Sequence, residues 1–194
     1  MKHTPLLLGC SVLFLAACSQ STAGTGNQMD NPLYAKYYYQ DLTDHMVDYT
    51  VQKDPIMSNP AKKNIVDATR SDAVAKVTDL SKKIDKGTSG QFQSDGDYAK
   101  GTALLLNNVL YIGPDFNVVP GPSLHMFIST SLDPRIGTGA LATLEPNAVD
   151  LGPLKDPYAA QTYMPPSPKE NDKYRSVAIW DTQLQRIFGF AQLQ

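Results

Sequence analysis

The period of the apolar positions divides the chain in two. From about Asn31 to Lys86 the period is helical. Tyr34, Tyr38, Leu42, Met46 and Tyr49 recur at threes and fours, which makes one amphipathic stripe. Asp30 or Asn31 can cap that helix, with Pro32 in its first turn, and Asp54-Pro55 ends it. Ser58 or Asn59 before Pro60 repeats the start signal. Val66, Ala73, Val77, Leu80 and Ile84 form a second stripe, with Gly87 as its C-cap. Two such helices with a short connection predict an antiparallel helical hairpin over residues 31–87.

After Thr88-Ser89-Gly90 the pattern changes to short β-like runs separated by Gly, Pro and Asn. Thr102 to Leu106 and Val109 to Ile112 flank Asn107-Asn108, a tight hairpin turn because Asn tolerates positive φ. Further strands are predicted at Leu124 to Thr130, near Ala148 to Leu151, at Gln161 to Met164, Arg175 to Trp180 and Arg186 to Leu193. The fold class is therefore mainly β with an α-helical N-terminal part. Residues 88–194 form an antiparallel β-sandwich or barrel, preceded by the hairpin.

The N-terminus adds a location. Lys2 gives a short positive start, and Leu6 to Ala17 is apolar but too short to span a hydrocarbon core that needs about 20 residues. Residues 1–17 thus read as a signal peptide. Leu15-Ala16-Ala17-Cys18 resembles the lipobox of bacterial lipoproteins. That resemblance implies cleavage before Cys18, a diacylglyceryl group on its thiol, and palmitate incorporation. The polar stretch that follows, within residues 18–30, is composed as a flexible tether. The expected partner is a membrane, reached through lipid on Cys18, and the expected location is extracytoplasmic, on the cell membrane or outer membrane.

Composition then removes chemistry. The chain is slightly acidic, with a formal charge of −2. It has no basic stripe, so nucleic acid is not an expected partner. Of its two cysteines, Cys10 leaves with the signal and Cys18 carries lipid. No thiol remains for a disulfide, a nucleophile, Cys-ligated zinc or an iron–sulfur cluster. No Gly-x-Ser-x-Gly elbow and no Gly-rich phosphate loop occur. The chain is read as a non-enzyme with no expected cofactor. The lysines of the second helix, interleaved with Asp67, Asp72, Asp79 and Asp85, read as a solvated mixed-charge face.

Residues from Gly90 to Leu193 resemble the DM-thirteen domain, a family of extracellular β-rich modules also called electron-transfer DM domains. The resemblance runs through Gly90-Gln91-Phe92, Gly101-Thr102-Ala103, Leu110-Tyr111-Ile112 and Asp115-Phe116. It continues through Pro120-Gly121-Pro122-Ser123-Leu124-His125-Met126-Phe127, Val149-Asp150-Leu151-Gly152-Pro153, Gln161-Thr162-Tyr163-Met164-Pro165, Ser176-Val177-Ala178-Ile179-Trp180 and Phe188-Gly189-Phe190-Ala191. Two positions depart from the family pattern. The family reads Gly-Pro-Asp-Leu where this chain has Gly121-Pro122-Ser123-Leu124. It usually places a Cys directly after the Trp, where this chain has Asp181. That Cys underlies the family's suggested redox activity, and a carboxylate cannot carry it.

The candidate binding residues are Asp181, His125, Trp180 and Asp115. Asp181 shares a strand face with Val177 and Ile179, at an edge of the core. It is either an acidic group that binds a cation or a strand-end Asp bonded to backbone, Arg175 or Arg186. His125 is either a ligand to a metal or haem or, as expected, a satisfied or solvent-facing residue. Asp95-Gly96-Asp97 resembles a fragment of a calcium loop but lacks the remaining oxygens, so turn chemistry is expected. Some rings of Tyr34, Tyr37, Tyr38 and Tyr39 should pack the hairpin, and Trp180 should be a core aromatic. These expectations describe a non-catalytic interaction or ligand-binding module of the cell envelope, with an envelope protein as a further partner. The second reading is an accessory electron-transfer protein with a bound chromophore.

Overall fold

The computed structural model describes residues 27–137, 142–169 and 172–194. The expected signal segment, Cys18 and most of the expected tether lie outside the described residues. Helix α1 (Pro32–Val51) starts where the cap signal places it: the Asn31 side-chain oxygen accepts from the N–H groups of Leu33 and Tyr34. Asn31 is itself buried, and its Nδ2 donates to the Ile112 carbonyl at 2.9 Å. The cap therefore also fastens the helix to the β region. Helix α2 (Pro60–Ile84) begins the same way on Asn59, after a 3-10 turn over Pro55–Ser58. The two helices pack on each other as the predicted hairpin.

Two details of the hairpin differ from the expectation. Tyr38 is exposed, whereas Tyr34 and Tyr39 are both half-buried, so Tyr39 and not Tyr38 joins Ala35 in the upper part of the α1 seam. The small residues set this: Ala35 on α1 and Ala73 on α2 are buried, and they fix which faces the helices bring together. Gly87 is not a left-handed C-cap; the helix closes on Asp85. Gly87 is needed instead for proximity, since a Cβ there would stand 2.6 Å from the Leu105 carbonyl oxygen.

Among the described residues the β region has thirteen strands: β1 (Thr88–Gln91), β2 (Gln93–Ser94), β3 (Ala99–Lys100), β4 (Thr102–Leu106), β5 (Val109–Ile112), β6 (Asn117–Val118) and β7 (Leu124–Ser129). These are followed by β8 (Arg135–Ile136), β9 (Thr143–Leu144), β10 (Val149–Pro153), β11 (Gln161–Tyr163), β12 (Ser176–Asp181) and β13 (Arg186–Gln192). A four-stranded antiparallel sheet has the order β1-β4-β5-β11, and a five-stranded one the order β10-β7-β12-β13-β2. The β4–β5 turn holds Asn107 and Asn108 at φ of 53° and 58°, as the hairpin reading requires.

One core joins the two sheets. Ala103, Leu110 and Ile112 of the first meet Met126, Ile128, Val177 and Ile179 of the second. Leu104 and Leu106 alternate with the core-facing residues of β4, so they point to the other face, beside the hairpin. The sheets form a sandwich and not a closed barrel. One seam is stitched where Ser89 and Gln194 exchange backbone hydrogen bonds of 3.0 Å each. The strands that the sequence did not predict are β1, which fell on the triplet read as a boundary, and five two-residue pairings too short to show a period.

Candidate functional site

The residues that stand out in the sequence gather at one end of the five-stranded sheet. The 120–123 loop enters β7, and the end of β12 lies beside it, with Asp181 paired to Leu124 across the strands. Asp181 has no accessible surface. Its Oδ2 accepts from Ser123 N–H at 2.9 Å, and its Oδ1 accepts from Gln183 N–H at 2.9 Å and Leu184 N–H at 2.8 Å. One oxygen therefore ties down the 120–123 loop and the other shapes the β12–β13 turn. Neither Arg175 nor Arg186 is its partner; Arg186 turns instead to Asp97 at 2.8 Å. Burial alone would push the Asp181 carboxyl up. The donors Leu184, Ser123 and Gln183, with the charge of nearby His125, outweigh it and hold the group below the usual carboxylate range.

Gly121 makes the approach possible. A Cβ at that position would stand 2.6 Å from Asp181 Oδ2 and 3.0 Å from the Phe188 ring. Any side chain there would displace the loop from the carboxylate.

His125 projects from the opposite face of β7, away from the core residues Leu124 and Met126. Its Nδ1 lies 2.9 and 3.1 Å from the two oxygens of Asp150 on β10. A carboxylate only accepts, so Nδ1 is the donor and Nε2 is the nitrogen left for other partners. The ring is thus held on one side by Asp150. His125 also lines a shallow cleft of about 360 Å³, whose walls include Pro120, Pro122, Ser123, Pro153 and Pro157. The walls combine proline and leucine side chains with nearly as much polar surface, including Ser123 and His125, and the loop that carries part of them is fixed by Asp181.

Trp180 corrects an expectation. It pairs with His125 across β12 and β7, on the face opposite Val177 and Ile179, and is half-buried rather than part of the core. The strand alternation that puts Asp181 inward forces Trp180 outward. Asp115 lies apart from this group. It accepts from the Thr102 N–H at 3.1 Å and the Thr102 hydroxyl at 2.8 Å, which clamps the start of β4. Asp95 and Asp97 pair with Arg135 and Arg186 rather than forming a calcium loop. Among the described residues no three His, Cys, Asp or Glu side chains group as metal ligands do, and no described helix is long and apolar enough to cross a membrane.

Sequence reasoning missed one polar cluster. Glu145 accepts from the hydroxyls of Ser129 and Ser131, and Ser176, fully buried, donates to the Ser131 carbonyl at 2.7 Å. These hydrogen bonds close the end of the sheet over the β8–β9 arm. Ser129 and Glu145 are 16 residues apart with no motif between them, so nothing local marks the pairing.

Residues 91–193 match the family described as Electron transfer DM13. The chain belongs to that family. The match covers the β region and leaves the helical hairpin outside it. No curated protein and no solved structure matches the chain. Within the DM13 domain, the position after the Trp is the buried carboxylate just described, held by three backbone donors.

Proposed function

We propose that this chain is a lipid-anchored protein held outside the cytoplasm, whose DM13 domain acts as a non-catalytic binding module of the cell envelope. The observation that carries the non-catalytic reading is Asp181. It stands where the resemblance places a redox thiol, and all its hydrogen bonds go to the backbone of two loops. The binding reading is supported by the proline-walled cleft, into which, among the described residues, only His125 brings a titratable side chain. The anchor is supported by the apolar run that ends in Leu15-Ala16-Ala17-Cys18. Two or three acyl chains would hold the protein firmly, at about 0.8 kcal/mol for each buried CH₂.

Two measurements test the proposal. Metabolic palmitate labelling should mark the wild-type chain and not Cys18→Ala; equal labelling of both would remove the anchor. A pull-down from membranes should recover a specific partner or ligand that a His125→Ala chain loses. Recovery of nothing specific would remove the binding role.

The family description favours a second reading, an accessory electron-transfer protein. With no thiol at position 181, that role requires a bound chromophore. An ultraviolet–visible spectrum of protein purified from its own host decides it. Absorbance beyond the protein band that changes on reduction would establish the reading, and a featureless spectrum in both states would end it.

A further inference from the structure

The binding role proposed above leaves its ligand unnamed, and the outer face of the five-stranded sheet narrows the choice. Three ring-bearing residues stand in one row across its strands. Pro153 on β10 pairs with His125 on β7, which pairs with Trp180 on β12. Directly paired residues project from the same face. Pro153 is exposed, and His125 and Trp180 are half-buried. Farther along, the face is closed: Phe190, paired with Ala178, is buried, with the Arg135 guanidinium 4.2 Å from its ring centre. The row therefore lies in the open part of the face, beside the cleft that Pro153 and His125 line.

The polar groups at this row mostly accept. Asp150 takes hydrogen bonds from His125 Nδ1 and the Gly152 N–H, yet its side chain is 43% exposed, and a carboxylate only accepts. With Nδ1 donating to Asp150, Nε2 of the neutral His125 ring is an acceptor too. The Ser123 and Thr182 hydroxyls, 2.7 Å apart, can donate or accept. Among the described residues no Lys or Arg lines the cleft. A ligand that suits this set brings several O–H donors, faces that stack on rings, and no negative charge. A proline-rich peptide brings the stacking faces but few donors, because Pro has no N–H. A peptide adding as a strand would find β7 and β12 already paired on both sides. Neighbouring strands lie about 4.8 Å apart, so the row spans roughly 10 Å, a pitch close to that of successive rings in an extended oligosaccharide.

We propose that the cleft and the adjoining row bind a neutral oligosaccharide. Sugar rings lie against Pro153 and Trp180, and sugar hydroxyls donate to Asp150 and to His125 Nε2. This ligand class rests on the binding role proposed above.

Trp180 is the only tryptophan of the chain, so its emission reports from this row alone. The full chain in detergent is applied to an array of neutral and acidic glycans, with a polyproline decapeptide alongside, and each neutral hit is titrated in solution. A neutral oligosaccharide should bind and change the Trp180 emission saturably. Asp150→Asn should weaken binding about tenfold or more, as should Trp180→Ala, followed by calorimetry. Thr182→Val, at an exposed position, should weaken it about threefold without touching the sheet. Binding to no neutral glycan would overturn the proposal, as would binding to acidic glycans or the decapeptide alone. Neutral binding that none of the three substitutions weakens would overturn it as well. A membrane partner that His125→Ala loses, with no glycan bound, would end the oligosaccharide assignment and leave the binding role standing.

Discussion

Replacing Asp181 by Ala removes the acceptor from three backbone N–H groups at once. Bonds to a charged acceptor contribute about 1.5–3 kcal/mol each. They are not additive here, because Gln183 and Leu184 share one oxygen and lie in an exposed turn that water can reach. Counting Ser123 as one bond and the turn pair as another gives a loss of about 3 kcal/mol, or roughly 6–12 °C in Tm for a chain of this size. Asp181→Asn keeps one oxygen for the turn but sets an amide against the Ser123 N–H, for a loss of about 2 kcal/mol. The sign with pH follows from the direction of the shift. The folded carboxyl ionises below its ordinary 3.8, so its stabilisation is complete above that value and is lost as pH falls through the folded pKa. Urea unfolding near neutrality should therefore separate wild type from Asp181→Asn, and the gap should close in acid. A loss below about 0.5 kcal/mol for the Ala variant, or a gap that persists unchanged in acid, would refute the assignment of Asp181 as the loop clamp.

Other positions give independent checks. Asn31→Ala removes the α1 cap and the bond to the Ile112 carbonyl; unfolding should show about 2–3 kcal/mol lost, and hydrogen exchange should rise first in α1. Asn107→Val places a β-branched residue at φ of 53° and should cost about 1–2 kcal/mol in the same assay, whereas Asn107→Gly should be neutral or stabilising. Burial pushes the Tyr163 hydroxyl above its ordinary 10.0, even though the Lys155 backbone pulls the other way. It should be among the last phenols to ionise at 295 nm, and stability should fall as pH rises past the unfolded value; Tyr163→Phe should flatten that fall. Asp181→Cys restores the thiol of the family pattern in a position with no accessible surface, so a disulfide reagent should label it only on unfolding.

Much of this molecule was legible in the chain because its signals are local. The two Asn-Pro caps, the Asn107-Asn108 turn and the short apolar runs of β4, β7 and β12 each act within a few residues, and each element formed where its signal stood. What failed was set by distant partners. The α1 seam rotated from Tyr38 to Tyr39 because buried Ala35 and Ala73 decide which faces meet. Gly87 has the sequence of a cap but serves the close passage of Leu105. Asp181 was placed at the core edge by its period, but the period could not show that Ser123, 58 residues earlier, supplies one of its donors.

That last contact links the two departures from the family pattern. The resemblance assigns an Asp to position 123 and a Cys to position 181, and in this chain the two positions touch, through Ser123 N–H and Asp181 Oδ2. The carboxylate is thus not missing from this corner of the domain; it stands on the opposite side of the same contact. A carboxylate at 181 can serve both the loop and the turn because each oxygen accepts separately. A thiol has one sulfur and accepts weakly, so it could not hold both. The exchange trades a group able to change redox state for one that fixes two loops, and it does so beneath the 120–123 segment that walls the His125 cleft. The physical consequence is that one carboxylate holds both the 120–123 loop and the β12–β13 turn, with no redox-active thiol at position 181, which is consistent with the binding role proposed above.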